Sequence, residues 1–150
     1  MAFKSDIESL LVDLLRSRGK AAISLVAEDD EEILGHILIS PVSIDPPAPG
    51  WNALGLAPVA VIPGRQRQGI GKALVSEGIE LCRSIGGSVI AVLSDPAYYT
   101  QFGFTRAMDF GLGNEYQAGD EFMVIELSQG VLENFTGMVT YAREFREIGV

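Results

Sequence analysis

Arg65-Gln66-Arg67-Gln68-Gly69-Ile70-Gly71-Lys72 is the stretch on which the reading of this chain turns. It follows an apolar run, Leu54 to Ile62, and opens a helical pattern that continues to Ser84 and ends at Gly86-Gly87. A β-branched, fully apolar run, Ser88 to Leu93, comes next. Strand, crossover helix and strand at this spacing predict a parallel pair, with the glycine-rich loop at the carboxyl end of the first strand. Main-chain N–H groups at a helix N-terminus supply clustered donors for a pyrophosphate without side-chain entropy. Gly69 and Gly71 let backbone approach phosphates closely, and Arg65, Arg67 and Lys72 add charge. The helix, from about Gly69 to Ser84, is predicted to turn Ile70, Leu74, Leu81 and Ile85 inward.

The surroundings sharpen that reading. The net charge is −9, yet no acidic residue occurs between Asp45 and Glu77, the interval that holds the three basic side chains. An acid-free basic island in an acidic protein is suited to a phosphate. The overall charge argues against nucleic acid as a partner, because basic surface supplies most of that affinity. With 150 residues, 47% of them hydrophobic, the chain is expected to form a single domain over 1–150. The lone Cys82 excludes an intrachain disulfide and suits a reducing compartment. No apolar stretch is long enough to span a bilayer, and no signal-like segment opens the chain, so a cytoplasmic location is expected.

Upstream, Ser5 and Glu8 read as a capping box for a helix whose face carries Ile7, Leu10, Leu11, Leu14 and Leu15 and which stops at Gly19. Ala22 to Ala27 and Ile33 to Ile44 read as strands of a hairpin around the acidic run Glu28 to Glu32, a solvated tip. Asp45 to Gly50 is a short proline-rich connection, and Pro58 marks a bulge or an edge in the third strand. A helical turn is expected after Asp95-Pro96, and a strand at Phe122 to Leu127.

Two common phosphate motifs fail. For a Walker A loop the position five before Gly71 is Gln66 rather than glycine, and Ala73 replaces Ser/Thr. A dinucleotide fingerprint would have its glycines directly after the strand, and Leu74 stands where its third glycine belongs. What fits is the acyl-CoA loop of the GNAT superfamily of N-acetyltransferases. Gln66-Arg67-Gln68-Gly69-Ile70-Gly71 resembles its Gln/Arg-x-x-Gly-x-Gly/Ala signature at every fixed position, and Leu56 to Val61 resembles the family's fourth strand. Asp95-Pro96-Ala97-Tyr98-Tyr99, continuing to Gly103-Phe104, resembles the corresponding segment of the YhbS-like branch.

That resemblance implies an α/β fold, a mixed twisted sheet with helices on both faces and a cleft where the strands of Val59 to Val61 and Ser88 to Leu93 splay apart. It implies acetyl-CoA as co-substrate and an amine acceptor that attacks directly; no Cys/His/Asp cluster has metal spacing, so no metal is expected. Val59, Ala60 and Val61 would hold the pantetheine arm through backbone hydrogen bonds. Arg67, Gln68, Gly69, Ile70, Gly71 and Lys72 would hold the pyrophosphate. Tyr99, four before Gly103, stands where the family's general-acid tyrosine stands and would protonate the departing thiolate. As plain packing, Tyr99 would instead be a core aromatic beside Tyr98 and Phe102.

The base stays open. Many relatives carry a glutamate on the fourth strand, but Leu54 to Ile62 holds no titratable residue. His36, Asp95 and a water chain to a remote carboxylate are the alternatives; a lone His36 is more often structural, and Asp-Pro favours turn initiation. Cys82 reads as a small buried hydrophobe rather than an acyl-cysteine. Family members begin with a strand before the first helix, whereas here only Met1 to Lys4 precede Ser5, so that strand is expected to be absent. A bare edge at Ala22 to Ala27 would then be covered by a homodimer, the alternative being that Met1 is a late start and residues before it are missing. An acyl-CoA-binding module without catalysis is the alternative function, and a nucleotide-binding α/β domain a third.

Overall fold

The computed structural model describes residues 23–29, 32–45, 52–132 and 137–141. The predicted helix of Ser5 to Gly19, the strand expected to be missing before it, Ala22, Asp30-Glu31 and the Pro46 to Gly50 connection lie outside them. The described residues group into two compact units, 23–40 with 56–81, and 41–55 with 82–141.

In the first unit, β1 (Ile23–Asp29) and β2 (Glu32–Pro41) form the expected antiparallel hairpin. The register runs Ile23–Ile39 to Ala27–Gly35, then shifts so that Glu28 faces Ile33 and Asp29 faces Glu32, leaving Leu34 as a bulge. β4 (Ala53–Val61) neighbours β2: Ile62 N–H donates to the Leu34 carbonyl at 2.8 Å and, just past the other end of β2, Val42 N–H donates to the Ala53 carbonyl at 3.0 Å. Helix α1 (Ile70–Ser84) covers this sheet. It comes closest at Gly78, where a Cβ would lie 3.0 Å from Ile39 Cδ1 and 3.4 Å from Ile37 Cδ1. Ile37, Leu38, Ile39, Leu56, Leu74, Val75 and Ile79 make the buried core, each worth ~1.5–3 kcal/mol over leaving it in water.

The buried stripe of α1 differs from the sequence expectation. Leu74, Val75, Gly78, Ile79 and Cys82 are buried, Ile70 and Leu81 are half-buried, and Ile85 is 48% exposed beyond the helix. The helix stops before Ile85 because Gly86 (φ +83) turns left-handed: Gly87 N–H reaches the Cys82 carbonyl and Gly86 N–H that of Arg83, a Schellman closure.

In the second unit the first residues of β4 pair with β5 (Val89–Leu93) in parallel, as the strand–helix–strand spacing predicts. That ladder runs from Ala53–Val89 to Gly55–Ala91 and stops. Pro58 therefore stands past it, where its missing N–H removes no bond to β5, on a strand interior to the sheet rather than at its edge. The chain continues through α2 (Pro96–Tyr99), β6 (Thr105–Arg106), β7 (Leu112–Asn114), β8 (Phe122–Glu126) and β9 (Gly137–Thr140). β8 lies antiparallel to both β5 and β6, and through β4 the strand order is β1-β2-β4-β5-β8-β6, a mixed sheet. The predicted strand Ile33 to Ile44 is two strands: β2 ends at Pro41, and β3 (Ser43–Asp45) joins β9 and β7 in a separate sheet. Phe104, Phe122, Met123, Leu132, Ile90 and Leu54 fill this unit's core.

Candidate active site

In the first unit, the loop between β4 and α1 is shaped by three local devices. Pro63 opens a 3-10 turn, Pro63–Arg65, and Arg65 N–H returns to the Ile62 carbonyl at 3.0 Å. Arg67 then adopts φ 65 and Gly69 φ 85, both left-handed, which costs a non-glycine residue ~1–2 kcal/mol. Finally Ala73 N–H donates to the Gly69 carbonyl at 3.0 Å, so the helical ladder begins at Gly69. The N–H groups of Ile70, Gly71 and Lys72 precede that first bond and have no carbonyl of the helix to meet. The first turn carries no acid, and alternating left-handed residues at a helix start turn successive N–H groups into an anion-binding concavity.

The three cations of the acid-free island separate into two kinds. Arg67 and Lys72 are exposed and form no ion pair among the described residues. Arg65, counted with them from sequence, is engaged: its Nη2 lies 3.3 Å from Asp29 Oδ2, and its Nε donates to Gln68 Oε1 at 3.1 Å. Sequence reasoning missed Asp29 because it sits in an acidic run that reads as a solvated tip, 36 residues away.

Val59, Ala60 and Val61 are half-buried on the part of β4 that lies beyond the β5 ladder, with β2 on the other side. Gln66 Nε2 donates to the Val61 carbonyl over 3.4 Å. Gly35 of β2 was also missed. A Cβ there would lie 2.7 Å from the Ala60 carbonyl oxygen and 3.3 Å from both Val61 Cα and Leu74 Cδ1, so only glycine lets these segments meet. A glycine inside an otherwise apolar strand was the available signal.

In the second unit, Asp95 caps α2: its Oδ1 accepts from Ala97 N–H at 3.0 Å, and its carbonyl accepts from the N–H of Tyr98 and Tyr99. The turn reading of Asp95 holds, and that carboxylate is committed to the cap. The turn aims Tyr99 inward, where it is 5% exposed. Its ring centroid lies 5.1 Å from that of Tyr98, 5.5 Å from Phe104 and 6.0 Å from Phe102. Burial, and secondarily Tyr98, push its phenol up to about 12. Tyr98 stays 37% exposed.

The remaining candidates fall into place individually. His36 is buried on β2 opposite Val26. Cys82 is fully buried and its thiol is pushed up to about 11 by desolvation, which disfavours the nucleophilic thiolate. Among the described residues no cluster of His, Cys, Asp or Glu could hold a metal ion, and no helix is long and apolar enough to cross a membrane.

Comparison with known proteins gives a consistent picture. The profile of the Acetyltransferase (GNAT) family matches residues 3–104. The chain is 35% identical over 146 residues to the uncharacterized N-acetyltransferase YhbS of Escherichia coli, covering 96% of this chain and 86% of that protein. It is 35% identical over 126 residues to the uncharacterized N-acetyltransferase YjhQ of the same species, covering 83% of this chain and 68% of that one. The fold superposes on the crystal structure of E. coli YhbS in complex with CoA with a TM-score of 0.89 at 34% identity, over 99% of this chain and 83% of that one. A GNAT family acetyltransferase from Brucella melitensis, in complex with acetyl-CoA, superposes with a TM-score of 0.75 at 35% identity, over 97% of this chain and 82% of that one.

Proposed function

The chain belongs to the GNAT family of acetyltransferases, and from that premise we propose that it transfers an acetyl group from acetyl-CoA to an amine by direct attack. The observation that carries the proposal is the loop 66–72, where two left-handed residues lead into a helix start free of acid and flanked by Arg67 and Lys72, which form no ion pair among the described residues. In this reading Arg67, Gln68, Gly69, Ile70, Gly71 and Lys72 hold the pyrophosphate, and Val59, Ala60 and Val61 hydrogen-bond the pantetheine arm as an added strand. The amine nitrogen attacks the thioester carbonyl, the C–N bond forms, the C–S bond breaks, and Tyr99 donates to the departing thiolate. β4 carries no titratable side chain, so no carboxylate of that strand takes the amine proton, which passes to His36 or along water to a remote carboxylate. A net charge of −9 favours amines that approach as cations.

Gly71→Asp tests the loop by setting a side chain and a negative charge against the phosphates. Calorimetry should show CoA affinity lost in the folded variant, and unchanged affinity would remove the loop assignment. Transfer is tested by following free thiol when acetyl-CoA meets a broad panel of amines. CoA binding with no thiol release across the panel would mean an acyl-CoA-binding module without catalysis. The same reading treats 1–150 as one acyltransferase domain, since β4 and α1 each contribute to both compact units, and assigns it to the reducing cytoplasm. It also pairs two copies along β1, whose one partner among the described residues is β2; a monomer mass by light scattering across micromolar concentrations would refute the dimer.

A further inference from the structure

The loop that is read as the pyrophosphate site is held in an unfavourable shape by very little of its own. Gln66, Arg67, Gln68 and Gly69 are all exposed, and a Cβ at Gly64 or Gly69 would meet nothing within 4 Å, so among the described residues no packing clamps the turn. Yet Arg67 is left-handed, a conformation that persists only where the surroundings over-determine it. Among the described residues two side-chain bonds reach the turn: Gln66 to the Val61 carbonyl, long at 3.4 Å, and Arg65 Nε to Gln68 Oε1 at 3.1 Å. The second is the better formed, and its donor is itself aimed, because the other end of the guanidinium pairs with Asp29 Oδ2 at 3.3 Å. Asp29 closes β1 just past the Leu34 bulge, and the Leu34 carbonyl anchors Ile62 at the root of the same loop. The hairpin end therefore holds the loop twice, through main chain at Leu34 and through side chain at Asp29.

We propose that Asp29 is a positioning residue for acyl-CoA binding: acting through Arg65 and Gln68, it keeps the turn around Arg67 in the shape that presents its N–H groups to the pyrophosphate. The inference rests on the loop 66–72 being the pyrophosphate site. It makes a prediction that charge alone does not. A carboxylate near bound phosphates repels them, so neutralising Asp29 should tighten CoA if electrostatics were its only effect. If Asp29 positions the loop, neutralising it should weaken CoA instead. The pair is half-exposed, so the effect is modest, roughly threefold to fivefold.

The test is calorimetry with CoA on the full chain, together with steady-state kinetics for acetyl-CoA, on Asp29→Asn, Asp29→Glu and Glu28→Gln. Glu28 is the neighbouring exposed carboxylate and has no bond to Arg65, so its variant reports the bare effect of removing one negative charge. The expected result is a raised Kd and KM for Asp29→Asn with kcat at saturation unchanged, recovery in Asp29→Glu, and unchanged or tighter binding in Glu28→Gln. Asp29→Asn binding CoA as tightly as wild type or tighter would overturn the proposal, as would Asp29→Glu failing to recover. Wild type failing to bind CoA would be a different failure, that of the loop assignment itself.

Discussion

Gly35→Ala is a one-methyl perturbation whose consequences can be worked out from the structure. The new Cβ would sit 2.7 Å from the Ala60 carbonyl oxygen, whereas real Cβ atoms essentially never come within 3.0 Å and ordinary contact begins at 3.4 Å. β2 and β4 must therefore part by at least 3.0 − 2.7, about 0.3 Å, and by 3.4 − 2.7, about 0.7 Å, to relax fully. The obstacle is backbone, and Leu74 of α1 closes the space at 3.3 Å, so the shift cannot be absorbed by one flexible side chain. Overpacking of this kind costs ~1–3 kcal/mol. Replacing glycine within a strand returns ~0.5–1 kcal/mol of backbone entropy, leaving a net loss of at most ~2.5 kcal/mol and ~1 kcal/mol at mid-range. For a chain of this size the mid-range loss lowers Tm by ~2–4 °C. The displaced groups belong to Ala60 and Val61, the proposed pantetheine-pairing strand. Misaligning one backbone hydrogen bond there, worth ~0.5–1.5 kcal/mol, should weaken CoA about threefold to tenfold. Differential scanning fluorimetry and CoA calorimetry read the two effects. Gly119→Ala is the control, because its Cβ would make ordinary contact, 3.7 Å from Met108 Cε. Wild-type Tm in Gly35→Ala would refute the packing; a lowered Tm with wild-type CoA affinity would refute the link to Ala60 and Val61.

Three further outcomes are expected. Tyr99→Phe keeps the buried ring but removes the donor, so kcat should fall ~10²-fold, the low end for a lost general acid, with CoA affinity retained; a crippled Tyr98→Phe beside a normal Tyr99→Phe would move the role to Tyr98. Because Tyr99 acts protonated and burial raises its pKa to about 12, kcat should climb as the amine deprotonates and show no falling limb up to about pH 10; a fall between about pH 8 and 10 would exclude a buried phenol as the donor. Cys82, buried with its thiol raised to about 11, should resist a thiol reagent until the protein is unfolded, and Cys82→Ser should leave kcat intact while costing ~1–3 kcal/mol of stability for the buried hydroxyl; loss of turnover would restore an acyl-cysteine route.

What could be read from the chain in advance was the local part. The β4–loop–α1–β5 unit is legible because strand, glycine loop, capped helix and strand follow one another, and each boundary is marked by a residue with a backbone reason, Pro63, Gly69 and Gly86. Asp95 was legible as a turn-initiating residue for the same cause, and the structure makes it the cap of α2. β6, β7 and β9 were not, since strands of two to four residues exist only by pairing with distant partners and leave no period of their own. The helix stripe was misjudged at Ile85 because a narrow apolar row was extended past the glycine that ends the helix. Val75 and Ile79 belong to the wider stripe that packing on a sheet requires. Asp29 was invisible because acidic runs at hairpin tips are ordinarily solvated, and a charge acquires a partner only when the fold delivers one.

Tyr99 carried two competing readings, core aromatic and acid; the structure shows the packing, and the same arrangement bears on the proposed acid role. The cluster with Tyr98, Phe102 and Phe104 that buries the ring is also what raises the phenol to about 12. A phenol already carries its proton at neutral pH, and the upward shift makes giving that proton away harder. Complete transfer from such a phenol to a thiolate, the conjugate base of a stronger acid, is uphill. A hydrogen bond to charge developing on sulfur needs no completed transfer, and it gains strength in the same desolvated surroundings. Tyr99 is therefore better suited to stabilising the departing thiolate than to fully protonating it. This is why the loss expected on removing its hydroxyl sits at the low end of the range for general acids, and why CoA can leave as the anion and take its proton from water.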